Sequence, residues 1–164
     1  MKEEKKELEK KKSGVSENFG KPIGIYELEL IDKETGKVLE TRKVKNLVVN
    51  NGKKSIRNGL KNTISWGYFR GIAIGKNGTA PTVDDTGLIE EYRYGKSLGA
   101  TWDDTNKRWV NEVLFTDFTE TVNICEAGLF WDVSGRGAMF SRVTFASIEV
   151  TPTKNLKVRI YIIP

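Results

Sequence analysis

The sequence predicts a mostly β fold, an antiparallel β-sandwich or jelly-roll-like domain with one short helix and a charged N-terminal tail. Three observations indicate this class: short apolar runs recur between turns rich in Gly, Asp and Asn, the last run alternates strictly, and one stretch has helical periodicity. With 164 residues the chain suits one domain with its own core. We expect a tail or linker over residues 1–20 and a single β-rich domain over residues 21–164.

The first predicted element of the domain is a β-hairpin over residues 23–44. Tyr26, Leu28 and Leu30 share one face of its first strand, and Asp32 begins a turn that also contains glycine. The opposite face carries many charges. Such charges are typical of an edge position, where they oppose pairing with other chains.

One helix is predicted, over residues 46–65. Apolar side chains recur every four positions from Ile56 to Ile64, as expected for a helix with one buried face. Asn50 or Asn51 can cap its first turn.

The rest of the domain is predicted to be strands and turns. Residues 102–107 are rich in Asp and Asn, so they indicate a hairpin turn between the strands that flank them. Residues 84–91 hold four acidic side chains without EF-hand spacing, and we interpret them as a solvated acidic turn. In the strand at residues 138–146, Met139, Val143 and Phe145 are expected on one face. The other predicted strands are residues 71–75, 92–100, 108–115, 123–131 and 156–162.

Charge, cysteine and histidine content limit the classes of function. The net charge is +5, and residues 1–12, with six Lys and four Glu, contribute +2. We expect the remaining +3 to be spread over the chain, so the sequence indicates no nucleic-acid partner. One cysteine and no histidine exclude a disulfide framework, imidazole metal sites and His-based triads, and no metal or cofactor is expected. Apolar runs are too short for membrane insertion, so we expect synthesis in the cytoplasm.

Glu126 is the anomalous residue, because it lies in the apolar run 123–131 together with Gly128 and Phe130. A buried carboxylate needs hydrogen-bond donors that offset its desolvation. In the structural interpretation, Glu126 accepts backbone N–H groups or an arginine, for which Arg142 is an attractive partner, and Gly128 lets another backbone approach. In the alternative interpretation, Glu126 is a catalytic acid whose pKa is raised by burial.

From about residue 46 to the end, a series of short motifs follows in a characteristic order. The motifs are Asn-Leu-Val-Val-Asn (46–50), Gly-Ile-Ala-Ile-Gly-x-x-Gly-Thr-Ala-Pro (71–81), Asp-Asp-Thr-Gly-Leu (84–88), Glu-Ala-Gly-Leu-Phe (126–130) and Met-Phe-Ser-Arg-Val-Thr-Phe (139–145), before an alternating last strand. In this order the chain resembles a family of small tail-associated structural proteins of tailed phages and related archaeal viruses, often labelled tail-fibre or baseplate proteins. The resemblance covers roughly the C-terminal two thirds of the chain.

The resemblance implies a non-enzymatic structural protein located in the virion. It further implies assembly with neighbouring virion proteins and with copies of the same chain, a trimer being favoured, and it supplies no catalytic residues. One alternative is a capsid decoration protein. Another is a carbohydrate-binding module for receptor recognition, in which aromatic rings stack on a host surface glycan. The candidate stacking residues are Trp66, Tyr68, Trp102 and Trp109.

A glycosidase is the remaining hypothesis. Such an enzyme needs two carboxylates roughly 5 to 9.5 Å apart across a cleft. The candidates are Asp84, Asp85, Glu120 and Glu126. Polysaccharide cleavage that disappears in Glu126→Gln would support this hypothesis.

Overall fold

A computed structural model describes residues 23–60, 69–98, 100–132 and 135–163. These residues form two antiparallel five-stranded sheets and one short helix, a mostly β structure consistent with a β-sandwich. The predicted fold class is therefore confirmed. The charged tail over residues 1–20 lies outside the described residues, and the division into tail and domain stays a prediction.

Sheet A brings the two ends of the described chain together, with the strand order β2-β1-β10-β7-β6. Strands β1 and β10 pair along their full lengths, from Ile23 opposite Ile163 to Asp32 opposite Lys154. The hairpin predicted over residues 23–44 is formed by β1 and β2. The strands of sheet A are β1 (Ile23–Asp32), β2 (Val38–Lys45), β6 (Thr101–Asp103), β7 (Arg108–Phe115) and β10 (Lys154–Ile163).

Sheet B has the strand order β3-β9-β8-β4-β5. Its strands are β3 (Leu47–Val48), β4 (Phe69–Gly75), β5 (Glu91–Lys96), β8 (Val122–Asp132) and β9 (Arg136–Val150). The helix, α1 (Asn50–Leu60), follows β3 and lies against β9. Gly52 makes this packing possible, because a Cβ there would lie 2.1 Å from the carbonyl oxygen of Phe140.

The main core lies between the two sheets. Sheet A contributes the alternating apolar side chains of β1 and β10, which are almost fully buried. Tyr26 also links the sheets through a hydrogen bond, since its hydroxyl lies 2.9 Å from Ser141 Oγ of β9. The largest fully buried apolar side chains of this core are Tyr26, Leu28, Phe69, Ile72, Ile74, Ile124, Leu129, Phe140 and Ile148.

The helix begins four residues later than the start of the predicted span 46–65. It begins at Asn50, because Leu47 and Val48 pair with Arg142 and Ser141 as the edge strand β3. Helical periodicity could not reveal this pairing, which depends on a strand almost 100 residues further along the chain. Residues 61–65 lie outside the described residues.

The predicted pairing around the turn at residues 102–107 is wrong in part. The hairpin is formed by β6 and β7, with Trp102 in the strand and opposite Trp109. Strand β5 instead pairs with β4 in sheet B. The backbone N–H of Ser97 donates to Arg70 O at 2.8 Å, and this hydrogen bond lies at the end of the pairing. The chain therefore changes sheets between β5 and β6.

Of the three side chains predicted on one face of β9, Val143 and Phe145 pack against the main core and Met139 does not. Val143 belongs to the main core, whereas Met139 packs in a second cluster with Val49, Ala73 and Phe130. The register of β8 and β9 shifts between Leu129 and Phe130, and an irregularity of this kind moves the following side chains to the other face.

Candidate functional site

Glu126 lies on β8 with its side chain on the outer face of sheet B and is fully buried. Gly75 is its neighbour on β4. A Cβ at position 75 would lie 2.5 Å from Glu126 Oε1 and 2.6 Å from Glu90 O, so only glycine leaves room for the carboxylate. The site therefore depends on a glycine that the sequence showed only as the end of a strand.

The Glu126 carboxylate accepts three backbone N–H groups from the chain between β4 and β5. Oε1 accepts from Asn77 N at 3.3 Å and Glu90 N at 2.8 Å, and Oε2 accepts from Ile89 N at 3.1 Å. These donors offset the desolvation of the buried charge. We name residues 76–90 the clamped loop, because one carboxylate holds both of its ends.

Arg142 completes the clamp from β9, where it is fully buried opposite Gly128. Its Nη2 and Nε lie 2.8 and 3.0 Å from Glu126 Oε2. Nη1 lies 2.8 Å from Asp85 Oδ2, and Nη2 also donates to Thr79 O at 3.1 Å. The structure thus brings Glu126 and Arg142 together and joins the middle of the clamped loop to the same ion pair.

Asp85 was named from the sequence only as a candidate hydrolase carboxylate and as part of an acidic turn, and its pairing with Arg142 was not predicted. Besides Arg142, it accepts hydrogen bonds from Thr82 N at 2.9 Å and from Thr82 Oγ1 at 2.7 Å. Desolvation by burial raises the pKa of the Asp85 carboxyl, but the hydrogen bonds from Thr82 and Arg142 outweigh it and hold this pKa below its usual value. The interpretation of residues 84–91 as a solvated acidic turn is therefore wrong for Asp85. The spacing Thr82-x-x-Asp85, typical of a side-chain-capped turn, was the available signal.

Gly128 and Phe130 also lie on the outer face of sheet B, under the clamped loop. Phe130 belongs to the second cluster, against which Leu88 of the loop packs. A Cβ at Gly128 would lie 3.0 Å from Leu88 Cδ2. Gly128 therefore admits a side chain, rather than the backbone that the sequence suggested.

Of the four aromatic candidates, the structure describes two, Trp102 and Trp109, and brings them together. Trp66 and Tyr68 lie outside the described residues. Trp102 and Trp109 face each other across β6 and β7, with ring centroids 5.2 Å apart and planes at 63°. Trp109 packs against the main core, whereas Trp102 is 42% exposed and donates from Nε1 to Asp104 Oδ1 at 3.4 Å.

The acidic residues proposed as a hydrolase pair have partners of other kinds. Glu126 is enclosed, so a substrate could reach its carboxylate only after the clamped loop had moved. Asp84 Oδ1 accepts from Asn50 Nδ2 at 2.8 Å, and Glu120 Oε1 accepts from the Tyr92 hydroxyl at 3.5 Å. These contacts favour structural roles for the carboxylates.

Within the described ranges, no group of three or more His, Cys, Asp or Glu side chains is arranged to hold a metal ion. The same part of the chain has no helix of the length and apolar character needed to cross a membrane.

Comparison with protein-family models, curated proteins and solved structures found no match.

Proposed function

We propose that the chain is a non-enzymatic structural protein of a tailed-virus virion, associated with a tail fibre or baseplate. In this proposal it assembles with copies of itself, a trimer being favoured, and with neighbouring virion proteins. The order of motifs after residue 46 supports the proposal, and a β-sandwich is compatible with it.

The observation that carries the proposal is the clamped loop. A buried ion pair is used to hold a surface loop at its two ends and in its middle. Breaking such a pair is costly, and a loop held in one conformation loses little entropy when it binds. The clamped loop is therefore well suited to contact another protein.

The composition of the clamped loop supports the same conclusion. Its segment 78–83, Gly-Thr-Ala-Pro-Thr-Val, carries no charge and is mostly exposed. Val83 is 38% exposed at the end of this segment. The cores of protein interfaces are depleted of charged residues, so this segment fits a contact between proteins.

The solution mass of the full-length protein by light scattering tests the proposal. We expect a defined oligomer that Val83→Glu converts to a smaller species, because the substitution places a charge in the contact. Val38→Glu is the matched control, since Val38 is 44% exposed on β2 and lies outside the loop. Both variants should keep the circular dichroism of the wild type. A wild-type monomer, or an equal effect of both substitutions, would count against the proposal.

A glycan-binding module is the second candidate, and the exposure of Trp102 is the observation that favours it. An indole that is 42% exposed and braced by Trp109 offers a flat face for a sugar ring. Calorimetric titration with neutral oligosaccharides should then give binding that Trp102→Ala abolishes. Heats equal to those of dilution for the wild type would remove this candidate.

A further inference from the structure

The positive charge of the chain is concentrated in one segment, contrary to the expectation that it is spread. Residues 37–57 contain seven Lys or Arg and one Glu, so seven minus one gives a net charge of +6, against +5 for all 164 residues. The fold keeps this segment on one side of the sandwich. Arg42 of β2 donates to Ser147 O of β9 at 3.1 Å, and the backbone N–H of Val49, just before α1, donates to Phe140 O of β9 at 3.2 Å.

Four cations between residues 45 and 57 are exposed and have no ionic partner among the described residues. The ion pairs of the described ranges use Arg42 and Lys43 but none of these four. The helix α1 has no acidic residue. Asp84 contacts the helix by accepting a hydrogen bond from Asn50, the first residue of α1. We name these four residues the basic surface: Lys45, Lys53, Lys54 and Arg57.

We propose that the basic surface binds an acidic polysaccharide, a linear glycan that carries carboxylate, sulfate or phosphate groups. Lys53 and Arg57 lie one helical turn apart, with a rise between them of about 6 Å, and point to the same side of α1. Exposed cations that are about 6 Å apart can each form an ion pair with a different anionic group along a hydrated polymer. The inference rests on the proposed function in one respect, that the ligand is a polymer on a host surface.

Other anionic partners fit the basic surface less well. Lysine is depleted in protein interfaces, so an acidic protein is disfavoured. Residues 37–58 contain no aromatic side chain that could stack on unpaired bases.

The test measures binding to heparin and to polygalacturonate, with neutral dextran as the negative probe. We expect the full-length protein to bind both acidic polymers with an affinity that falls as salt is added, and not to bind dextran. Replacing two cations, in Lys53→Gln/Arg57→Gln, should lower the affinity about tenfold and reduce the slope of log affinity against log salt by about 2.

The matched control is Lys107→Gln/Lys154→Gln, which removes the same charge from the β6–β7 turn and from the first residue of β10, both outside the basic surface. This control should bind within about twofold of the wild type, since its cations make no contact with the polymer. An equal loss in both double variants, or no binding to either acidic polymer, would overturn the inference. Tighter binding to duplex DNA than to both polysaccharides would also overturn it, in favour of a nucleic-acid surface.

The outcome can be separated from that of the proposed function. Loss of polysaccharide binding in Lys53→Gln/Arg57→Gln with an unchanged oligomer mass would support the inference without bearing on assembly. A wild-type monomer that binds the polysaccharides would contradict the assembly proposal and leave the basic surface as a glycan site.

Discussion

Each sheet of the sandwich carries an ion cluster on its outer face, and the two clusters differ in what they hold. On sheet B, Glu126 and Arg142 are fully buried and bind backbone groups of the clamped loop. On sheet A, Glu27 and Arg159 pair across β1 and β10, and their side chains are 7% and 24% exposed.

The cluster on sheet A is a ladder of alternating charges across four strands. Lys43, Glu27, Arg159 and Glu112 are directly opposite one another in β2, β1, β10 and β7. Lys43 Nζ lies 2.9 Å from Glu27 Oε2, and Arg159 Nε donates to Glu112 Oε2 at 2.7 Å. Lys43, Arg159 and Glu112 remain partly exposed to water, and the buried Glu27 carboxylate is shared among Lys43, Arg159 and the Tyr161 hydroxyl. Each single ion pair of the ladder therefore contributes little to stability. The comparison indicates that the buried cluster determines a local conformation, whereas the ladder supports a sheet that other interactions already hold.

The largest effect is expected from Arg142→Met. The substitution leaves Glu126 buried without its ionic partner, and breaking a buried pair in this way costs about 3 to 5 kcal/mol. Arg159→Met is the matched control, for which we expect a loss of about 1 kcal/mol, because Glu27 keeps Lys43 and the Tyr161 hydroxyl and Glu112 is partly exposed. Urea unfolding followed by circular dichroism measures both. Equal losses in the two variants would contradict the distinction between the clusters.

The predictability of these two regions differs for a physical reason. The alternating pattern of Leu156, Val158 and Ile160 predicted a strand, and the same local periodicity gave the fold class. A carboxylate in an apolar run also predicted that Glu126 needs donors. Arg142 was suggested as one partner, and the structure shows this contact. The backbone donors could not be identified from the sequence, because the clamped loop reaches Glu126 only after β4 and β8 have paired.

The second effect in size is expected from Gly75→Ala. A Cβ at this position meets Glu126 Oε1 and the carbonyl oxygen of Glu90, and the backbone oxygen cannot move without shifting β5. We expect a loss of about 1 to 3 kcal/mol, as for other overpacked positions. Gly78→Ala is the control within the same loop, since its Cβ would meet only Cys125 Sγ, at 3.8 Å. Hydrogen exchange at the amides of Asn77, Ile89 and Glu90 should become faster in Gly75→Ala alone.

The third effect is a change of stability at low pH. The pKa of Asp85 is lower in the folded protein than in the unfolded chain, so its contribution to stability is present above the usual Asp pKa of about 3.9 and is lost as the pH falls through the lower folded value. Asp85→Asn should therefore be less stable than the wild type at pH 7. The difference should shrink as the pH falls below about 3.9, because the Asp85 carboxyl of the unfolded chain then binds a proton before that of the folded protein does. Thermal unfolding of both proteins, measured from about pH 7 to pH 3, gives this difference in stability. A difference that is constant with pH would show that the charge of the Asp85 carboxylate does not stabilise the clamped loop.

The smallest effect is expected from Lys43→Met at the end of the ladder. Lys43 faces Glu27, whose pKa is raised by desolvation but lowered more strongly by hydrogen bonds from Lys43 and Tyr161. Glu27 keeps Arg159 and the Tyr161 hydroxyl, at 3.1 Å, when Lys43 is removed, so no buried charge is left alone. Because the Lys43 side chain is 65% exposed, its ammonium group is well solvated in both states. We expect no change in the urea midpoint at about 0.5 M salt and a slight decrease at low salt, where screening is weaker. A loss that persists at high salt would mean that the ladder on sheet A is as strongly coupled as the buried cluster on sheet B.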